Sequence, residues 1–253
     1  MNHKQDDDSF FIGWADTPAA DRRFFLRAGL GLTFGAAAMA GGLAAFQTPP
    51  GPGMWNQGAV REWRGIVTGT PYAMLRTLDL GGGPRTALLS CLGKCGVAAR
   101  IGSLAGKAVV ITGSLIQRGR HSMIAVNEMG EWIREDDTPA DPSLVFPKPE
   151  PLGRISLAGE ILDSKCWFGA MRPSEGKVHK SCASLCIRGG IPPAFFARDR
   201  ANKSALMIMM DGGRPYGYDL LPFLADPVQI DGALSRWGDL LILDAAIGNF
   251  ERL

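Results

Sequence analysis

The chain carries an internal repeat, and the repeat limits what it can fold into. With Gly113 placed on Gly232, Val109, Ile111, Gly113, Leu115 and Gly119 fall on Val228, Ile230, Gly232, Leu234 and Gly238 without a gap, and Met123-Ile124 falls on Ile242-Leu243. Earlier in each half, Gly65 and Gly159 open a similar strand. A C-x-x-x-C pair follows, Cys91/Cys95 in one half and Cys182/Cys186 in the other. Apolar residues at every second position are the mark of a half-buried strand, so each half reads as one small β unit, present twice.

Strands are expected at 63–70, 73–80, 108–115 and 122–126 in the first copy, and at 155–162, 205–210, 228–234 and 240–246 in the second. The 33 glycines and 17 prolines favour short strands joined by turns over a helical bundle. V-x-I-x-G-x-L followed by a turn and a final strand resembles a five-stranded barrel of the OB type, and an SH3-like barrel or a small sandwich would give nearly the same pattern. The fold class is therefore mostly β: an N-terminal transmembrane helix, then two tandem small OB-like barrels. The bounds are 1–20 for a cytoplasmic tail, 21–46 for a signal anchor, 47–60 for a Pro/Gly hinge, 61–134 for the first barrel, 135–152 for a Pro-rich linker and 153–253 for the second barrel. A net charge of only +2, from 27 basic and 25 acidic residues, leaves no field suited to nucleic acid, and that class of partner is excluded.

Asp21-Arg22-Arg23-Phe24-Phe25-Leu26-Arg27 and the uncharged run after it resemble a twin-arginine export signal, carried by Arg22, Arg23, Phe25 and Leu26, with Asp21 where Ser or Thr is usual. An ordinary anchor obeying the positive-inside bias is the plainer reading of the same residues. Either way, residues 28–46 are long enough to meet the lipid bilayer as one helix. No A-x-A cleavage site precedes a polar segment, so retention is expected: a single pass in a bacterial inner membrane, with the bulk of the chain in the periplasm.

The chemistry-bearing stretch is Cys166 to Pro193, which gathers Cys166, His179, Cys182 and Cys186. His179, Cys182 and Cys186 stand at i, i+3 and i+7, along one face of a helix, and Cys166 would arrive from the end of the preceding strand. Three thiolates and an imidazole suit tetrahedral Zn, and thiolate-rich sites also take Cu(I), so these are the cofactors to consider. The alternative is a disulfide from Cys166 to Cys182 or Cys186, worth about 3 kcal/mol by chain entropy. A bond within either C-x-x-x-C pair is less natural, since it would need distortion on a helix, and pairing across the copies is the alternative for the secondary pair Cys91 and Cys95. A nucleophilic Cys166 or Cys182 activated by His179 is a third reading, without an orienting group to complete it. His121, after Arg118-Gly119-Arg120, reads as a solvated turn residue.

The second copy also resembles a group of small exported bacterial OB-like domains of unassigned function. Their D-S-x-C start, His before two cysteines and Ile/Val-x-x-G turn match Asp163-Ser164-Lys165-Cys166, then His179, Cys182 and Cys186, then Ile187-Arg188-Gly189-Gly190. The first copy departs from that pattern, with Tyr72 near the place of Cys166 and Leu88 at that of His179. The whole layout is similar to the Rieske subunits of cytochrome bc-type complexes, which pair such an anchor with a hinge and a small β domain, although the C-x-H-x-G-C and C-x-x-H boxes are missing. The resemblance implies a non-catalytic accessory subunit of a respiratory, electron-transfer complex, docked on an integral-membrane and cytochrome-containing partner. The competing expectation is a periplasmic protein that binds or delivers metal at a Cys3His site.

Overall fold

The computed structural model describes residues 19, 21–30, 51–198 and 204–253. Two compact units divide the chain, Met1–Pro49 and Pro50–Leu253. In the first, residues 21–30 are helical, and Phe24, Phe25 and Leu26 are exposed on that helix. The rest of the expected tail and anchor, residues 1–18, 20 and 31–46, lies outside the described residues. Among the described residues no helix is long and apolar enough to cross a membrane.

The second unit is mostly β and holds two closed five-stranded barrels in tandem. The first uses β1 (Met54–Thr68), β2 (Met74–Thr77), β3 (Arg85–Cys91), β4 (Ala108–Arg118) and β5 (His121–Val126), ordered β1-β2-β3-β5-β4 and closed by β1 pairing β4. A short β6 (Ile133–Glu135) adds to β4. The second uses β7 (Glu150–Asp163), β8 (Pro193–Arg198), β9 (Ser204–Met210), β10 (Pro227–Trp237) and β11 (Leu240–Asp244) in the same order, and β12 (Phe250–Arg252) adds to β10 as β6 does to β4. In both, the third and fifth strands run parallel and the other neighbours antiparallel. This is the OB-like arrangement.

The register repeats residue by residue. Gly65 faces Val109 and Gly159 faces Val228, while Leu115 faces Ile124 and Leu234 faces Leu243. Gly65 and Gly159 stand where the first strand is crossed most closely: a Cβ there would run into the carbonyl of Arg76 in one barrel and of Phe196 in the other. Those two carbonyls hold the same place on the second strand. Strand starts differ from expectation at Met54, inside the stretch read as hinge, because the early part of β1 bulges between Trp55 and Val60 before pairing resumes on β4. The Pro-rich linker is packed down, with Trp237 Nε1 donating to the Pro147 carbonyl at 2.7 Å and its ring against Phe146.

Each barrel has an interior core, around Trp63, Leu75, Leu89, Ile111 and Ile124 in the first and around Ile161, Phe195, Met209, Val228 and Leu243 in the second. A third core lies between them. It joins Met74, Leu88 and Met123, one row across β2, β3 and β5, to Ala194, Ile208 and Ile242, the row at the same register on β8, β9 and β11. The two copies thus meet through the same patch of each. Asp239 ties the edge, accepting Arg85 Nε and the Thr86 backbone N–H, each at 3.0 Å. His121 is not solvated: it is half-buried in this seam, stacked on Phe168 with ring centres 5.6 Å apart.

Candidate metal and thiol centre

The copies differ most in one connection. Between the first and second strands, the first barrel has only residues 69–73, whereas the second has 164–192. That insertion contains a tight π-turn, Cys166–Ala170, a 3-10 turn, Lys177–His179, and the helix Lys180–Arg188, for which His179 is the N-cap residue. Its start and middle are tied by Asp163 at the end of β7. One oxygen accepts the Cys166 backbone N–H at 2.8 Å, and the other meets His179 Nε2 at 2.8 Å. A carboxylate this deeply buried costs stability unless its oxygens are bonded, and both are. With Nε2 engaged, Nδ1 is the ring nitrogen left for a metal or a proton.

Three sulfurs surround this pair. Cys166 and Cys186 are buried, Cys182 is part-exposed, and all three are free thiols. Ligand atoms of Cys166, His179 and Cys182 lie within 4.8 Å of one another, and those of Asp163, Cys166 and Cys186 form a second such group. The four residues expected to form one site are therefore divided between two groups that share Cys166. The Cys166 thiol is pushed well above the usual thiol range, first by its hydrogen bond with Cys186, then by burial and by the nearby Asp163 charge.

Two lysines cross the seam in opposite directions. Lys94, from the first barrel, donates to Cys182 Sγ at 3.2 Å, and that bond raises its own pKa. Lys165, from the second, spends its ammonium on three carbonyls of the first, Cys91 at 2.6 Å, Leu92 at 2.9 Å and Gly93 at 2.6 Å. Burial brings Lys165 down to about 8, against the pull of Cys186, Cys166 and Asp163. The loop it clasps is closed by a Cys91–Cys95 disulfide. That bond corrects the expectation that these two cysteines pair across the copies. They are not helical: Cys91 ends β3 and Cys95 follows a turn, so the side chains converge with a Cα separation of 5.4 Å.

The cysteine pairs are also not equivalents. Cys91/Cys95 follow the third strand of their barrel, whereas Cys182/Cys186 lie between the first and second strands of theirs. Leu88 likewise does not stand in for His179, since its register partner in the second barrel is Ile208. Tyr72 does sit in the short β1–β2 connection, where its hydroxyl donates to the Met209 carbonyl at 2.8 Å. The disulfide proposed from Cys166 to Cys182 or Cys186 is not formed. Asp163 and Lys165 were read only as part of the D-S-x-C start, with no role in the site, and Lys94 was not singled out at all.

The donor set fits a thiophilic ion. Two thiolates about 2.3 Å from a tetrahedral Zn stand about 3.8 Å apart, against about 2 Å in a disulfide. Cys166 and Cys182 are 3.8 Å apart, Sγ to Sγ. Asp163 behind His179, at 2.8 Å, is the carboxylate partner that orients a ligating imidazole. No protein-family model matches the chain, and no curated protein matches it either.

Proposed function

We propose that the protein is a metal-binding tandem-barrel module that holds one thiophilic ion, Zn or Cu(I), with Cys166, His179 and Cys182, and that it works outside the cytoplasm, tethered to a bacterial inner membrane by its N-terminal segment. The observation that carries the metal reading is the 3.8 Å spacing of Cys166 and Cys182, two thiols from separate elements beside an imidazole already oriented by Asp163. The same molecule supports it in a second way, because Cys91 and Cys95 are bonded while three other thiols stay free in close company. Three protein ligands leave a fourth position, the layout of a site that exchanges its ion or takes an outside ligand. Bound there, the ion would fix the insertion against β7 and act as cargo or as a Lewis acid. The tether rests on Arg22, Arg23, Phe25 and Leu26, and a place beside an integral-membrane electron-transfer complex rests on the Rieske-like layout alone.

Elemental analysis of protein recovered from the periplasmic face without chelators tests the metal. One Zn or Cu per chain is expected, lost in Cys182→Ser and bound about 10- to 100-fold more weakly in Asp163→Asn, which leaves all ligands in place. Protein free of both metals, with Cys166 and Cys182 found linked to each other, would overturn the reading.

A further inference from the structure

We infer that the same cluster carries a second chemistry that needs no metal: exchange with an external disulfide, in which Cys182 attacks and Cys166 resolves. The two sulfurs are unequal in the way such a pair must be. Only Cys182 is open to solvent, so an incoming disulfide can reach it and not the buried Cys166 or Cys186. Lys94, reaching over from the other barrel, donates to that sulfur at 3.2 Å and helps to hold it in place. Cys166 waits 3.8 Å away on another element, so joining the two asks for a closure of about 1.8 Å to reach a disulfide length of about 2 Å. His179 lies within 4.8 Å of both sulfurs, and Asp163 holds it at 2.8 Å. This is the orienting third group that a cysteine–histidine pair requires.

The step balances as follows. The Cys182 thiolate attacks R–S–S–R′, forming a Cys182–S–S–R mixed disulfide and releasing R′S⁻. The Cys166 sulfur then attacks Cys182 Sγ, forming Cys166–Cys182 and releasing RS⁻, which takes up the Cys166 proton. The protons of the two thiols end on RSH and R′SH, so two electrons move from the cysteines to the substrate disulfide. The substrate class is an accessible disulfide, of a small thiol or of a protein. An ion held by Cys166 and Cys182 occupies both sulfurs, so metal binding and exchange exclude one another.

The test uses the full chain with its Cys91–Cys95 bond intact, treated with chelator and then with oxidised glutathione or, in a parallel arm, insulin. Non-reducing peptide mapping is expected to find Cys166–Cys182, and Cys166→Ser to trap glutathione on Cys182. Lys94→Met, which removes the donor to the Cys182 sulfur, should slow the first step about tenfold, with formation of Cys166–Cys182 from the mixed disulfide unchanged. Reaction with glutathione alone assigns a small substrate; reaction with insulin as well assigns a protein disulfide. Adducts on Cys186, a Cys182–Cys186 bond, or a protein still reduced after glutathione has equilibrated would each overturn the inference. Metal content is measured separately on untreated protein. A chain without metal can therefore still pass this test, and one with metal can fail it.

Discussion

Asp163 has two oxygens and two obligations, and neither could be read from its position in the chain. The D-S-x-C start and His179 were both visible as residues, but their bond at 2.8 Å depends on how the insertion folds back on β7. Lys94 was still less legible, because it comes from the other barrel. His121 was misread for a related reason: a turn that would be solvated in one barrel is covered by Trp167 and Phe168 of the next. Burial holds its pKa down from 6.5 to about 4, with Arg120, Arg85 and Arg118 adding to the effect and Asp239 opposing it. A depressed folded-state pKa means that the unfolded chain takes up the proton first. Stability is therefore in full above about pH 6.5 and falls as the pH drops toward about 4, by up to about 3 kcal/mol. His121→Phe keeps the stacking without the charge, and denaturant midpoints across that range should be flatter by that amount. An unchanged slope would remove His121 as the cause.

At the scale of elements, the repeat was legible where strands carry it and misleading where connections do. β4 and β10 align through their apolar alternation, because both bury the same face. The interval from Gly65 to Cys91 is nearly that from Gly159 to Cys182, yet the first spans two further strands and the second spans none. Spacing counts residues, whereas equivalence depends on topology. Strands β3 and β8 escaped notice because each begins abruptly, after a Gly-rich turn and after Ile191-Pro192. The insertion helix is fitted against the disulfide loop at Gly189, where a Cβ would strike the Lys94 carbonyl although the backbone angle there is ordinary, with φ −77°. Gly189→Ala should therefore cost about 1–3 kcal/mol by overpacking, and it should draw Lys94 away from Cys182. Gly248→Ala, which meets nothing within 4 Å, is the control. Equal melting temperatures for the two variants would contradict that fit.

For the whole second unit, the shared third core decides how it comes apart. Leu88 and Ile208 are both buried, and each loses its cover if its neighbour barrel opens. Calorimetry of residues 51–253 should show one transition whose van't Hoff and calorimetric enthalpies agree, and two resolved peaks would show the barrels to be independent. Meeting through the same patch is how two identical subunits pair about a two-fold axis, so the chain is built like a dimer with its halves joined. The lysine clasp gives that joining a meaning beyond strength. One half supplies the sulfurs and the imidazole, the other the ammonium that guards the open sulfur, and neither half made alone contains the finished centre. A half-made chain therefore presents the sulfurs without the Lys94 contact, which forms only once both barrels have folded and met.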